Sequence, residues 1–313
     1  MSEPRPSEDH PDAPLLASVV VVNKDDAGIA NTLRALEGLD DARVVEVVVV
    51  DASEGRLEAV RSAFPRVHWI DYAHPTGKPR TIAEQRNLGV ERSTGGIVVF
   101  LDANCVPAEG WLDFLLAPIA SGAEEIVVGS AVSAGGPSVH DTDKPMRPGT
   151  YLDECANMNV AYRRTVFDRV GYFDERLGFA EDVDFAWRAI DAGLRLCYEP
   201  RAVVSHDWGN ASENFPRAFR YGVARVRLLR KHRSRLRRLA GSDRYVLAYA
   251  LYLALLPIAV FFPAYLLVLA YPLMKNRRHK PLQTVGYHLM YGAGALSEFL
   301  HVPVVKGQRR TSS

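Results

Sequence analysis

"VVFLDANCVPAEGW", residues 98–111, takes an apolar run straight into a carboxylate, a small residue and an amide. The run 97–101, "IVVFL", is β-branched and aromatic, the composition of a strand buried on both faces. Asp102 and Asn104 therefore stand two residues apart at the end of that strand, with Pro107 and Trp111 close behind. An Asx turn after a strand is ordinary turn chemistry, so the pair alone says little about function. Its neighbours give it a fold.

Three further runs share this character: "SVVVV" (18–22), "VVEVVVV" (44–50) and "IVVGSAV" (126–132). Helix-like segments alternate with them at 27–39, 55–64, 80–92 and 110–121. The layout is βαβα, which predicts an α/β domain with a largely parallel central sheet over residues 15–213. In such sheets ligands bind at the carboxyl ends of the strands, where Asp25, Asp51 and Asp102 all fall. The acidic, proline-rich residues 1–14 are expected to be a disordered tail, and no secretory signal is expected there because the opening residues are polar. Residues 306–313 are a second expected tail.

The formal net charge of +1 hides an uneven distribution. Residues 214–242 hold no acid, while Arg217, Arg220, Arg225, Arg227, Arg230, Lys231, Arg233, Arg235, Arg237 and Arg238 accumulate there. Phe219, Val223, Val226, Leu229, Leu236 and Leu239 interleave at roughly helical spacing. That pattern predicts a basic helix on anionic lipid headgroups, in preference to a nucleic-acid-binding one, because an apolar stretch follows at once. Residues 245–274 carry no charge, far more than the roughly 20 residues of a membrane helix.

As one straight helix they would reach about 45 Å against a core of about 30 Å. Pro257 and Pro263 interrupt them, so a bent or re-entrant pair fits better, with basic residues on both flanks: the arginine run before, and Lys275, Arg277, Arg278 and Lys280 after. A second, weaker apolar stretch at 282–305, carrying His288, Glu298 and His301, is expected to lie in the interface. Membrane-associated helices are thus expected over 243–305. Cys105, Cys155 and Cys197 have no CxxC spacing and read as three reduced thiols.

Two more stretches bear on chemistry. "GFAEDVDFAWRAIDAGLRLCYEP" (178–200) places Glu181, Asp182 and Asp184 at a helix start, more carboxylates than a cap needs. "AVVSHDW" (202–208) ends another apolar run in His206, a possible metal ligand or base. A dinucleotide-dependent oxidoreductase would need G-x-G-x-x-G after the first strand, where "VVNKDDAG" stands instead. P-loop, GxSxG and HExxH signatures are also absent.

Taken together, these blocks resemble the family 2 glycosyltransferases of GT-A fold, of the bacterial type with a C-terminal membrane-attachment region. The resemblance covers residues 18 to about 208. It runs through "SVVVVNKDD", "VVVVDASEG", "AEQRNLGVERSTGGIVVFLDANCVPAEGWL" and "MNVAYRRTVFDRVGYFDERLGFAEDVDFAWR" in order. It implies inverting transfer of a sugar from a nucleotide diphosphate sugar to an acceptor hydroxyl. By similarity Asp25 and Asp51 would contact the nucleotide, and Arg86, Asn87, Asp102 and Asn159 would lie by the donor. Asp102 and Asn104 would take the place of the DxD motif that holds a divalent metal, Mg2+ or Mn2+, with His206 completing the site. Asp182 would be the general base, supported by Glu181.

Asn104 replaces the usual last carboxylate and so lowers the charge of the metal site. The expected partners are the nucleotide diphosphate sugar, membrane lipids and a lipid-linked or membrane-presented acceptor, with no nucleic acid. The expected location is the cytoplasmic face of the cell membrane, in cell-envelope glycan or glycolipid synthesis. The alternative is a non-catalytic, membrane-bound homologue that binds a sugar nucleotide or a partner.

Overall fold

The computed structural model describes residues 16–39, 41–73, 81–134, 146–208, 211–275 and 280–300. The expected tails at 1–14 and 306–313 lie outside the described residues, as do Arg277, Arg278 and His301. The chain divides into two compact units. Of the described residues, the first takes in those from 16 to 134, 146–175 and 182–207, and the second takes in 176–181 and those from 208 to 300.

The first unit is a mixed sheet with helices between its strands. β1 (Ala17–Asn23), β2 (Val44–Asp51), β3 (His68–Asp71) and β4 (Ile97–Asp102) run parallel in the order β3-β2-β1-β4. They are joined by α1 (Ile29–Leu39), α2 (Glu58–Ala63) and α3 (Ile82–Arg92). Every residue of β1 is buried, which is why its valine run carries no polar alternation. A capping box starts α3: the Thr81 hydroxyl accepts from the Glu84 backbone N–H, and the Glu84 carboxylate accepts from that of Thr81.

The chain continues through β5 (Cys105–Pro107), α4 (Trp111–Ala120), β6 (Ile126–Ser133), β7 (Thr150–Leu152), β8 (Asn159–Arg163), α5 (Thr165–Val170), α6 (Glu181–Asp191) and β9 (Leu196–His206). β8 enters antiparallel between β4 and β6, and β9 runs parallel to β6. The expected largely parallel sheet is therefore met on the β1 to β4 side and mixed beyond it. Beneath α6, Phe185 packs on Phe173 with ring centroids 4.7 Å apart, and Phe173 lies edge-on to Phe100 of β4 at 5.5 Å. These rings fix where the helix carrying Glu181 and Asp182 begins.

The second unit is helical. α7 (Ala211–Lys231) leads through a 3-10 segment (Arg233–Ala240) to α8 (Arg244–Ala254). Then follow α9 (Ile258–Phe261), a second 3-10 segment (Pro263–Leu269), α10 (Ala270–Lys275) and α11 (Pro281–Phe299). The described residues of 214–242 and 243–300 all fall within this second unit.

Two features of this unit bear on the expected membrane attachment. Among the described residues no helix is long and apolar enough to cross a membrane, because the uncharged run 245–274 breaks near Pro257 and again at Phe262. The apolar stripe of α7 faces protein: Val226 clusters with Val246 and Ala250 of α8 and Ala295 of α11, so α11 is a packing helix. The arginine run also meets acids of its own chain. Arg227 and Arg230 pair with Glu298 at 3.0 and 2.9 Å, and Arg238 and Arg225 approach Asp243 at 3.3 and 3.7 Å.

Candidate active site

Strand register assembles the site. Asn23, Asp51 and Asp71 stand side by side at the carboxyl ends of β1, β2 and β3, and Asp102 of β4 lies beside Val22. Parallel pairing converts positions far apart in sequence into one acidic rim. At Asp51, Oδ1 accepts from the Ser53 backbone N–H (3.1 Å), the Ser53 hydroxyl (2.5 Å) and the Asn23 amide (3.3 Å). Among the described residues no hydrogen bond is made to its Oδ2. Asp25 sits in a left-handed conformation, takes the Ser53 hydroxyl as acceptor for its own N–H, and pairs with Arg56 at 2.7 Å on the surface.

Arg86 is the buried cation of this rim. Its guanidinium lies 3.4 Å from Asp102 and 5.9 Å from the centre of the Phe100 ring. Asp182, half-buried at the start of α6, accepts from the Val183 N–H at 2.8 Å and from the Asn157 N–H at 3.4 Å. Burial pushes its pKa above the ordinary carboxylate value. The Arg86 charge and the two backbone donors oppose that rise, and the Asp102 charge adds to it. Arg86, Asp102 and Asp182 therefore form one electrostatic group. Glu181 is buried beside Asp182.

Asn104 has φ of 63°, a left-handed turn position that Asn tolerates well. Its side chain reaches the start of α1: its Oδ1 accepts from Asn31 at 3.4 Å, and a Cβ on Gly28 would lie 2.8 Å from its Cγ. On the next strand His206 pairs in register with Cys105 of β5 and Ser133 of β6, so the sheet brings it alongside the Asp102–Asn104 turn. Among the described residues no group of three or more His, Cys, Asp and Glu converges on a metal position. Asp102 and His206 remain as a two-donor set, which fits a cation such as Mg2+ that draws most of its ligands from water and phosphate.

Two further predicted residues are hydrogen-bonded within the sheet and its loops. Asn159 is buried in the sheet, its Oδ1 accepting from the Trp111 indole (2.8 Å) and its Nδ2 donating to the carbonyls of Ser130 (2.9 Å) and Ala202 (2.8 Å). Asn87 donates to the Phe173 carbonyl (3.0 Å) and to Glu175 (2.9 Å) and accepts from the Phe173 N–H (2.9 Å). Both are fully engaged in holding the frame.

Asn157, which sequence reading passed over, lies nearer the chemistry. It is 1% exposed, its N–H faces Asp182, its Oδ1 accepts from the Tyr162 hydroxyl at 2.6 Å, and its Nδ2 has no partner among the described residues. "ANMN" holds two asparagines two apart, and nothing local separates their roles.

Residues 18–173 match the model of the family described as "Glycosyl transferase family 2". The "Pre-mycofactocin glycosyltransferase" of Mycobacterium tuberculosis is 30% identical over 208 residues, 60% of this chain and 42% of that protein. "Glycosyltransferase AglE" of Haloferax volcanii is 28% identical over 170 residues, 52% of this chain and 56% of that protein. The chain thus spans only about half the length of these relatives. Among solved structures, the mannosyltransferase PcManGT of Pyrobaculum calidifontis, in complex with GDP-Man and Mn2+, superposes with a TM-score of 0.67 at 19% identity. That likeness of fold covers 96% of this chain and 92% of that one. The mixed sheet with its parallel β1 to β4 half is consistent with a GT-A fold, and the match over residues 18–173 and these relatives support a glycosyltransferase similar to family 2.

Proposed function

We propose that this chain transfers a sugar, with inversion, from a nucleotide diphosphate sugar to an acceptor hydroxyl. The observation that carries the reading is the buried Arg86, paired with Asp102 on the strand-end rim and within electrostatic reach of Asp182 on α6. An inverting displacement needs two opposed groups. Asp182 takes the proton of the acceptor hydroxyl as its oxygen attacks the anomeric carbon, while the bond to the diphosphate breaks and its electron pair leaves with the phosphate oxygen. A carboxylate whose pKa is raised is the stronger base for this task. Glu181 supports it, and the Asn157 backbone N–H holds the Asp182 carboxylate. Arg86 faces the developing phosphate charge, and Asp25 and Asp51 lie on the nucleoside side.

Asp102 and His206, with Asn104 beside them, would hold a divalent cation, Mg2+ or Mn2+, which when bound neutralises charge on the leaving diphosphate. We place the acceptor on a lipid or at a membrane surface, at the cytoplasmic face of the cell membrane, in cell-envelope glycan or glycolipid synthesis. The uncharged run 245–274 supports this placement.

Asp182→Asn tests the reading. Transfer of radiolabelled sugar should fall by about 10²- to 10⁴-fold, the usual share of a general base. One observation favours a second reading, a membrane-bound homologue that binds a sugar nucleotide without turnover: the missing third metal-binding side chain among the described residues. Thermal stabilisation of the parent chain by nucleotide sugars and manganese, with no transfer or hydrolysis of any of them, would establish that one, whereas transfer unchanged in Asp182→Asn would remove Asp182 as the base.

A further inference from the structure

Tyr162 of β8 is a fully buried titratable group to which the chemistry above gives no part. Its ring stands edge-on to Phe100 at 6.1 Å and to Phe185 at 5.4 Å between centroids. Phe185 belongs to α6, the helix that begins with Glu181 and Asp182. The far end of the same side chain donates its hydroxyl to Asn157 Oδ1 at 2.6 Å. Tyr162 therefore touches both segments that meet at Asp182: its ring packs on the helix, and its hydroxyl holds the loop residue whose N–H faces the carboxylate at 3.4 Å.

The loop side of this contact carries a cost. Asn157 is 1% exposed, and among the described residues its Nδ2 has no hydrogen-bond partner, so the bond from Tyr162 is what fixes its side chain. Burying an amide with a donor unmet is unfavourable, and an apolar residue of the same shape would avoid it. Asn159, two residues on, is the contrast, with both ends of its amide bonded within the sheet. A polar side chain kept at such a cost beside Asp182 points to a task there.

Burial keeps the Tyr162 hydroxyl a donor. It holds the pKa well above the ordinary tyrosine value, and the neighbouring Cys155 thiol adds to the rise. Burial likewise pushes the Cys155 thiol up to about 12. Neither group titrates near neutral pH, so the contact with Asn157 has one form there.

We infer that Tyr162 and Asn157 are positioning residues for Asp182. The ring sets where α6 begins, the hydroxyl sets the Asn157 loop, and together they bring the Asn157 N–H onto the carboxylate. The arrangement stands by itself, and its consequence for turnover rests on the sugar-transfer reading. A general base works only within hydrogen-bond reach of the proton it takes, so a small displacement of Asp182 slows the chemical step and leaves donor binding alone.

Tyr162→Phe keeps the ring and removes the hydroxyl. With radiolabelled GDP-mannose, UDP-glucose and UDP-N-acetylglucosamine as donors and manganese present, kcat should fall by at least about tenfold, with KM for the donor within about twofold of the parent. Asn157→Leu removes the acceptor and keeps the backbone N–H, and it should lose about as much. The double variant should lose no more than either single one, because the hydroxyl acts through Asn157. Hydrogen exchange at the Asn157 amide, followed by NMR without any sugar, should quicken at least about tenfold in Tyr162→Phe. An unchanged kcat, a rise in KM alone, losses that multiply in the double variant, or unchanged exchange at Asn157 would each overturn the inference. Full turnover in Asp182→Asn would instead remove the base reading, and the exchange measurement would then decide by itself whether Tyr162 holds the loop.

Discussion

Asp182 links burial to chemistry in a way that pH can test. Its pKa is raised in the folded chain, chiefly by burial, so folding disfavours its charged form. The sign follows: relative to an unfolded Asp, this carboxyl leaves stability intact below the ordinary carboxylate pKa and costs stability as pH rises through the raised value. Asp182→Asn removes that cost. The variant should melt higher than the parent at neutral pH, with the gap closing as pH falls below about 4, while its transfer rate is lost. Arg86 is the first of the influences that hold the pKa down. Arg86→Gln should therefore move the acidic limb of the pH–rate profile to higher pH and lower kcat/KM by roughly 10²-fold, as for loss of one charge-stabilising donor.

Asn104 can be tested by restoring the acid. Asn104→Asp keeps a residue type that accepts the left-handed backbone and adds a carboxylate beside Asp102. Manganese binding, measured by calorimetry, should tighten roughly tenfold. The motif around Asn104 was legible because a turn is a local event. The division of labour between Asn157 and Asn159 was not. The partners that immobilise Asn159 come from Trp111, Ser130 and Ala202, three segments that only the folded sheet assembles.

At the scale of elements, magnitudes decide what holds the helical unit together. The ion pairs of Glu298 with Arg227 and Arg230 are at the surface, the arginines 58% and 41% exposed, and each contributes less than about 1 kcal/mol. Helix contact counts for more. A Cβ on Gly222 of α7 would stand 1.9 Å from the Tyr291 carbonyl oxygen of α11, and backbone on the partner helix has nowhere to give. Gly222→Ala should cost about 1–3 kcal/mol in denaturant unfolding, whereas Glu298→Gln should change stability by less than that. The helical periodicity of α7 was legible from its sequence, but its partner was not. An apolar stripe has the same spacing whether it meets lipid or another helix, and here α8 and α11 supply the covering side chains.

At the scale of the whole molecule, the uneven charge seen in the sequence divides into two parts. Some arginines are neutralised inside the chain by Glu298 and Asp243, while Arg233, Arg237, Arg244 and Lys275 stay exposed near the uncharged run 245–274. Added salt should weaken binding to anionic vesicles, because a Debye length of about 8 Å at 0.15 M shrinks to about 3 Å at 1 M. Binding to neutral vesicles, driven by the uncharged run alone, should change little.

The sequence by itself determined the alternation of strands and helices, the acids at the strand ends and the uncharged run, because these depend on periodicity and turn chemistry within a few residues. Only the tertiary structure decided that Arg86 pairs with Asp102 within electrostatic reach of Asp182, that Asn87 and Asn159 hydrogen-bond to distant segments, and that residues 245–275 fold back on themselves. Each of those depends on contacts between segments distant along the chain, and burial and register, which set them, exist only once the chain has closed on itself.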